Sequence, residues 1–375
     1  MNPTPPEALR PLLAQADVLD HDASLAAQVV PALGRSGVLR VGVPREHGGD
    51  GGTTGDALET IASVAAHSLT AAFVFWGQRA SIEYLLQSPN AALRALWLPR
   101  LLAGEVAGAT GLSNAMKFLS GLEALQVQAT PEPRPSGAAL HRLDGQVPWA
   151  TNLRPQGFLL AVAVERRDGG PAFIAALPSD RAGLQRSDDL DLIALRGSNT
   201  ASVRLTRLTL GEADLIASDA RAWLPAVRPA FLALQCGLSV GLARASLAAA
   251  RAQGGPARSV LREPLARVEH GLAEAVAGLK QGLQTGQFAA QPVPLFEHRI
   301  ALAHLALAAV QLELQASGGR AYHRDAPLGF ARRWREAAFL PIVTPSLTQL
   351  QAELDKRAAA LARDRAAVPA EISGA

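Results

Sequence analysis

Residues 145–152 read Gly-Gln-Val-Pro-Trp-Ala-Thr-Asn and place an aromatic ring and a hydroxyl two residues apart, at Trp149 and Thr151. An aromatic face beside one polar donor is what a flat ligand with a polar edge requires. The structural alternative is a tryptophan in the core and a threonine at the end of a strand. The segment therefore predicts either a ring-binding site or an ordinary strand end.

Other signatures of catalysis are missing from the sequence. It contains no Gly-x-Ser-x-Gly elbow, no phosphate loop of the Walker type and no His-Glu-x-x-His motif. The eight histidines are dispersed, and His298 and His304 flank a helix without the spacing of metal ligands. The glycine-rich residues 48–52 lack the strand and helix that surround a dinucleotide fingerprint. We therefore expect no metal site.

Composition and charge exclude several classes of protein. The chain of 375 residues is 49% hydrophobic and 18% charged, which is typical of a globular protein with a sizeable core. The net charge is only +3 and the basic residues, nearly all arginine, are scattered, so we expect no nucleic-acid surface. The single cysteine, Cys236, allows no internal disulfide and suits a reducing cytoplasm.

The sequence also predicts no targeting segment and no membrane span. Residues 1–22 have neither the basic nor the apolar region of a signal peptide. The apolar run 230–250 is interrupted by Gln235 and Arg244. We expect a cytoplasmic protein.

The positions of the apolar residues divide the chain into three parts. Apolar residues recur every three or four positions, as in helices, in residues 7–36, 56–88 and 90–104. Strand patterns follow in residues 125–130 and 202–210, and residues 158–178 form a predicted hairpin around Asp168-Gly169. Helical patterns return in residues 227–252, 258–286, 294–317 and 346–366. We predict an α+β fold with an N-terminal helical domain at 1–108, a middle β-barrel-like domain at 109–215 and a C-terminal four-helix bundle at 216–375.

This order of domains, with several motifs, resembles the acyl-CoA dehydrogenase family over roughly residues 30–350. The family's Val-Pro-Glu-x-x-Gly-Gly-x-Gly stretch is similar to Val-Pro-Arg-Glu-His-Gly-Gly-Asp-Gly at residues 43–51. Its Gly-x-Lys-x-Trp-Ile-Thr-Asn strand resembles residues 145–152, and its Arg-Gly-Ser-x-Thr turn resembles residues 196–200. Its Gln-x-x-Gly-Gly-x-Gly-Tyr and Arg-x-x-Arg-Asp-Ala motifs resemble residues 315–322 and 332–337.

The resemblance implies FAD as cofactor, with Trp149 against the isoalloxazine ring and Thr151 near its N5 edge. In the family, the arginine that matches Arg258 reaches the diphosphate of a neighbouring subunit's FAD, and paired glycines such as Gly318-Gly319 let the backbone approach the cofactor. The alternatives are a solvated helix-end arginine at 258 and a plain helix cap at Gly318. The residues implied to bind the cofactor are Leu112, Ser113, Asn114, Trp149, Ala150, Thr151, Arg258, Gln315, Gly318 and Gly319.

The general base of the family is missing from the sequence. Family members remove the α-proton of an acyl-CoA thioester with a glutamate, while hydride passes to the flavin. Thr344 falls at the usual glutamate position and Phe231 at the position that some relatives use instead. Glu336 is close in sequence, but we expect it to form a structural ion pair with Arg332 or Arg335. No catalytic residue is identified.

A second departure concerns the loop that contacts substrate. The family's Leu-Thr-Glu-Pro-x-x-Gly-Ser-Asp is replaced by residues 112–121, Leu-Ser-Asn-Ala-Met-Lys-Phe-Leu-Ser-Gly, which keep polar groups but lose Gly-Ser-Asp. The resemblance implies an FAD-dependent oxidoreductase that dehydrogenates an acyl-CoA or another small molecule, as a homodimer or homotetramer with an unidentified electron acceptor. The alternatives are a flavin-dependent monooxygenase on the same fold and a catalytically silent binding or scaffold subunit.

Overall fold

The computed structural model describes residues 5–112, 115, 118, 123–132, 140–253, 256–323 and 329–367. Helices occupy the chain up to residue 102. The longest of them, α5, is buried on almost every side, which explains why apolar residues occur on every face of it. The helices of this part are α1 (Arg10–Leu13), α2 (Ala16–His21), α3 (Ala26–Arg35), α4 (Thr54–Ala65), α5 (Leu69–Leu86) and α6 (Ala91–Leu102).

The middle of the chain forms an eight-stranded sheet in the order β6-β7-β3-β2-β4-β5-β8, with β1 paired in parallel to β4. The strand β4 is buried along most of its length, which its continuous run of apolar residues reflects. The predicted hairpin is confirmed, because β4 and β5 pair antiparallel. The strands are β1 (Ala107–Gly111), β2 (Val127–Glu132), β3 (Leu140–Ala150), β4 (Phe158–Arg166), β5 (Phe173–Pro178), β6 (Leu184–Arg186), β7 (Ala201–Gly211) and β8 (Leu215–Ala217).

The C-terminal part returns to helices, among which α7 and α10 pack along each other at the centre of the bundle. These helices are α7 (Ala220–Ala252), α8 (Arg262–Gln284), α9 (Gln287–Ala290), α10 (Val293–Ser317), α11 (Phe330–Phe339) and α12 (Leu347–Ala367). Short 3-10 helices lie at Glu7–Leu9, Val38–Arg40, Arg45–His47, Arg196–Ser198, Glu212–Asp214, Pro256–Leu261 and Gly318–Arg320. The predicted α+β fold class is confirmed. The division into three domains at 108 and 215 stays a prediction, although strands first appear at Ala107 and end at Ala217.

Two helices form longer apolar stretches than the sequence pattern predicts. By length and composition alone, Ala220–Ala252 and Val293–Arg320 could each cross a membrane, so the expectation that no stretch is long enough was wrong. In the fold, 89% of the apolar window of the first helix and 50% of that of the second are buried inside the protein. Packing in the bundle therefore accounts for their apolar character.

Candidate active site

A cavity of about 230 Å³, called here the main cavity, opens where the end of β3 meets α5, α7 and the segment that follows α11. Its walls are mostly apolar. The lining residues are Phe73, Trp76, Thr110, Trp149, Ala150, Thr151, Phe231, Phe339, Ile342, Val343 and Thr344. Such a pocket with a few convergent polar groups is the usual form of a small-molecule site.

A β-bulge directs Trp149 to the main cavity. The pairing of β3 with β7 slips by one residue between Val147 and Ala150, and the two consecutive residues Pro148 and Trp149 are both exposed. Proline cannot donate to the strand ladder and is tolerated at such bulges, which re-aim side chains. The Trp149 ring is 42% exposed, so one face remains available to a ligand.

Thr151 is held by hydrogen bonds to the turn at residues 196–200, which resembles the family's Arg-Gly-Ser-x-Thr turn. Its hydroxyl donates to the carbonyl oxygen of Ser198 at 3.3 Å and accepts from the hydroxyl of Thr200 at 3.1 Å. The next residue, Asn152, has a φ of 62° and donates from Nδ2 to Oε1 of Gln78 at 3.0 Å, which fixes the strand end against α5. The end of β3 is therefore anchored to the turn at residues 196–200 and to α5.

The segment between α11 and α12 forms another wall. Arg299 donates from Nη2 to the carbonyl oxygen of Leu340 at 2.8 Å, and Gln235 donates from Nε2 to that of Thr344 at 3.0 Å. Both side chains are fully buried. These bonds set the position of Thr344 at the cavity.

Both family positions for the general base lie on the main cavity and neither carries a base. Thr344 and Phe231 line it, as the resemblance implied. Among the described residues that line this cavity, no side chain is a carboxylate, a histidine or a lysine. A threonine hydroxyl does not take a proton near neutral pH, so the wall offers hydrogen bonds but no general base.

Glu336 is buried away from this role. Arg332 donates to both of its carboxylate oxygens, at 2.9 and 3.0 Å, and the backbone amide of Leu69 donates to it at 2.9 Å. The expected structural ion pair is therefore confirmed with Arg332, whereas Arg335 pairs with Asp20.

A carboxylate that no sequence motif indicated lies next to the main cavity. A side cavity of about 210 Å³ shares Trp149 and Thr344 with the main cavity and is also lined by Glu123 and Gln126. Glu123 follows the loop in which the chain departs from the family pattern, so no motif pointed to it. Among the described residues that line these two cavities, Glu123 is the one with a carboxylate side chain.

The structure brings only some of the predicted cofactor residues together. Trp149, Ala150 and Thr151 line the main cavity, and Leu112 is buried just after β1, whose last residue Gly111 lines the side cavity. Ser113 and Asn114 lie outside the described residues.

The remaining predicted residues lie at the far end of the bundle. Gln315, Gly318 and Gly319 are exposed, and Arg258 lies in the 3-10 helix Pro256–Leu261, where only its backbone is described. Gly318 is the C-cap residue of α10 and has a φ of 62°, a conformation that favours glycine. Along α10, Ser317 is roughly 27 Å from Arg299. One chain therefore places these residues far from the main cavity.

The residues at the main cavity fit the ring end of a flavin. Trp149 offers an aromatic face, while Thr110 and Thr151 add hydroxyls at an otherwise apolar wall. At the end of α10, a Cβ atom added to Gly318 or Gly319 would meet nothing within 4 Å, so the described residues of the chain form no cradle there. No group of three or more side chains able to hold a metal ion occurs in the described part of the chain.

Comparisons with known proteins agree with this arrangement. Residues 7–105 match the family model of the acyl-CoA dehydrogenase N-terminal domain. The probable acyl-CoA dehydrogenase YngJ of Bacillus subtilis (strain 168) is 24% identical over 258 residues, which span 65% of this chain and 65% of that protein, just under two thirds of its length.

Solved structures share the fold over nearly the whole chain. Butyryl-CoA dehydrogenase from Megasphaera elsdenii has a TM-score of 0.77 and 17% identity, covering 95% of this chain and 94% of that one. Dibenzothiophene monooxygenase (TdsC) from Paenibacillus sp. A11-2 has a TM-score of 0.69 and 19% identity, covering 92% and 95%. At these identities the two structures establish the fold alone.

Proposed function

We infer that the chain is a member of the acyl-CoA dehydrogenase family. On that premise we propose that it is an FAD-dependent oxidoreductase that acts on a neutral, apolar substrate with dioxygen. The flavin ring would cover the mouth of the main cavity at the end of β3, against Trp149 and Thr151, and would leave the cavity itself to the substrate. The substrate would lie deeper, between the ring and the walls formed by α5 and α7. Dioxygen would be the electron acceptor: with two electrons from FAD that an external hydride donor of the reduced nicotinamide class has reduced, and two protons from solvent, one oxygen atom would enter the substrate and the other would leave as water.

One observation carries this proposal: among the described residues, no titratable side chain lines the main cavity. Removal of an α-proton from a thioester needs a base within hydrogen-bond reach, and Thr344 and Phe231 supply none. When bound, a flavin carries two electrons and in its reduced form passes them to dioxygen. That chemistry does not require a carboxylate at either of these positions.

The residues of the chain would bind, orient and protect the reactants. Trp149 would stack on the flavin ring, and the hydroxyls of Thr110 and Thr151 would hydrogen-bond its polar edge. The aromatic wall of Phe73 and Phe231 would exclude water, which would otherwise divert a reactive oxygen species from the substrate. The likeness in fold to a dibenzothiophene monooxygenase supports this use of the scaffold.

The exposed group at the end of α10 supports a homo-oligomer. Gly318 and Gly319 lie far from the main cavity of their own chain, so they and Gln315 would reach the adenosine diphosphate end of an FAD bound to a second copy. Arg258 would contribute its guanidinium to the same diphosphate. We propose a homodimer or homotetramer that works in the cytoplasm.

A second candidate function is the dehydrogenation of an acyl-CoA, which the position of Glu123 favours. Its carboxylate borders the side cavity together with Trp149 and Thr344. From there it would accept the α-proton that the missing family glutamate normally takes. The β-hydrogen would leave with its electron pair to the flavin.

The test is made on the purified full-length protein with FAD. First, the flavin absorption band is followed anaerobically while a panel of acyl-CoA thioesters is added. Reduced FAD and air-saturated buffer are then supplied, and oxygen uptake is measured with and without apolar compounds. We expect that acyl-CoA does not bleach the flavin. We also expect that oxygen is taken up and that the apolar compound, when present, is oxidised in proportion to this uptake. Bleaching by an acyl-CoA would favour the second candidate, and a protein that binds no flavin would contradict both and leave a binding or scaffold role.

A further inference from the structure

Aromatic rings form the inner wall of the main cavity. Phe73 and Trp76 of α5 lie parallel, with ring centroids 5.6 Å apart and planes inclined by 8°. Phe339 meets Phe73 edge-on at 4.6 Å, and Phe231 lies 5.1 Å from Trp76 at 58°. Aromatic residues make up only 5% of the chain, yet these four and Trp149 border one cavity. Leucine and valine, which fill most of the rest of the core, would bury apolar surface equally well, so burial alone does not explain the aromatic residues.

The rings are fixed in their positions before any ligand enters. Trp76 donates from Nε1 to the carbonyl oxygen of Phe231 at 3.2 Å, so the indole cannot rotate without losing a buried hydrogen bond. Phe231 is also packed against Tyr84 at 6.3 Å, and both side chains are fully buried. A wall held in this way offers a ligand preformed ring faces and ring edges at little cost in entropy.

The size of the cavity suits a ring system. An apolar cavity of about 150 Å³ binds benzene in another protein. The main cavity, at about 230 Å³, therefore has room for about two fused rings. Its described lining carries no charge, while the hydroxyl of Thr344 leaves a place for one polar substituent.

We propose that the main cavity takes a neutral, flat aromatic compound of about two fused rings as the substrate. Aromatic ligands would gain edge-on and offset contacts with the ring wall, whereas a linear acyl chain gains only the burial of its surface. Each good ring pair raises affinity roughly two- to tenfold. This inference rests on the proposed function, because the aromatic compound would lie between the wall and the flavin beside Trp149.

The test compares two neutral alcohols, 2-naphthol and the linear 1-nonanol. Both are titrated by calorimetry into the full-length protein, as purified and with saturating FAD. We expect 2-naphthol to bind at least tenfold more tightly. The variants Phe73→Leu and Phe231→Leu keep an apolar side chain but lose the ring, so each should weaken 2-naphthol binding roughly two- to tenfold and change 1-nonanol binding less than twofold.

Phe288→Leu is the matched control, because Phe288 is a fully buried phenylalanine that does not line the main cavity. It should change neither affinity, and the thermal midpoint of each variant shows that it is folded. The inference is overturned if 1-nonanol binds as tightly as 2-naphthol, if neither binds, or if the cavity variants weaken both alcohols equally. A protein that prefers 2-naphthol but takes up no oxygen would contradict the proposed reaction alone. A protein that takes up oxygen but prefers 1-nonanol would contradict the aromatic substrate alone.

Discussion

Arg299 donates a hydrogen bond from Nε to Oε1 of Gln235 at 2.7 Å, and the pair joins the two central bundle helices α7 and α10. The same two side chains hold Leu340 and Thr344, the ends of the segment that walls the main cavity. Burial lowers the pKa of Arg299, and among the described residues its Nη1 has no hydrogen-bond partner. The polar pair therefore depends on each of its few bonds to offset the cost of burial.

Gln235→Met should destabilise the protein and loosen the segment at Thr344. The change leaves Nε of Arg299 buried without a partner and removes the bond to the half-buried carbonyl oxygen of Thr344, which costs about 1–3 kcal/mol in the free energy of unfolding. Urea unfolding measures the loss. Gln128→Met is the control, since Oε1 of Gln128 accepts from Arg167 at 2.8 Å on the surface, and it should cost less than about 0.5 kcal/mol. Equal losses in the two variants would contradict the role of the buried pair.

Trp149→Leu should lower the affinity for FAD. The leucine keeps an apolar contact but loses the ring face, so we expect a decrease of roughly three- to tenfold, measured by fluorescence titration of FAD. Trp334→Leu provides a closely matched control, because Trp334 is 43% exposed against 42% for Trp149 and does not line either cavity. An equal decrease in both variants, or none in Trp149→Leu, would show that the flavin ring does not lie at the end of β3.

Glu123→Gln tests the second candidate function. If the carboxylate of Glu123 takes the α-proton, the amide of the glutamine variant cannot do so. Bleaching of the flavin by an acyl-CoA should then slow by about 100-fold or more. Glu132→Gln, at the end of β2 and paired with Arg142 at 3.8 Å, should leave the rate unchanged. Rapid anaerobic mixing measures both. Bleaching that survives in Glu123→Gln would require a base other than this carboxylate.

The order of helices and strands could be predicted because their patterns are long and regular. The hairpin of β4 and β5 shows both apolar runs and an Asp-Gly turn, and the bundle helices each repeat apolar residues over many turns. The short strand β1 escaped prediction, since Ala107–Gly111 is small, glycine-containing and wholly buried. Its pairing with β4 joins residues about fifty positions apart, which local sequence does not encode.

The sequence predicted the site only at residues that belong to one short motif. Trp149, Ala150 and Thr151 are adjacent in sequence and lie together at the main cavity. The ring wall was not foreseen, because α5 is buried on nearly every side and no apolar periodicity separates the face of Phe73 from the others. Glu123 was missed for a related reason: its place at the cavities comes from tertiary packing rather than from a motif.

His298 should make the stability of the bundle depend on pH. Burial lowers its pKa below the ordinary value of about 6.5, and its ring packs against Gly278 and Phe288. As the pH falls through 6.5, the unfolded chain takes up a proton before the folded one does. The free energy of unfolding should therefore decrease below pH 6.5, until the folded histidine is protonated as well.

The measurement is urea unfolding of the protein and of His298→Gln between pH 8 and pH 5, which is the range about the ordinary pKa of histidine. The variant should lose part of the decrease below pH 6.5, because glutamine does not titrate. His304→Gln is the control for a histidine substitution on the same helix, since His304 lies exposed there. If the profiles of His298→Gln and the unmodified protein run parallel from pH 8 to pH 5, the acid sensitivity comes from another group.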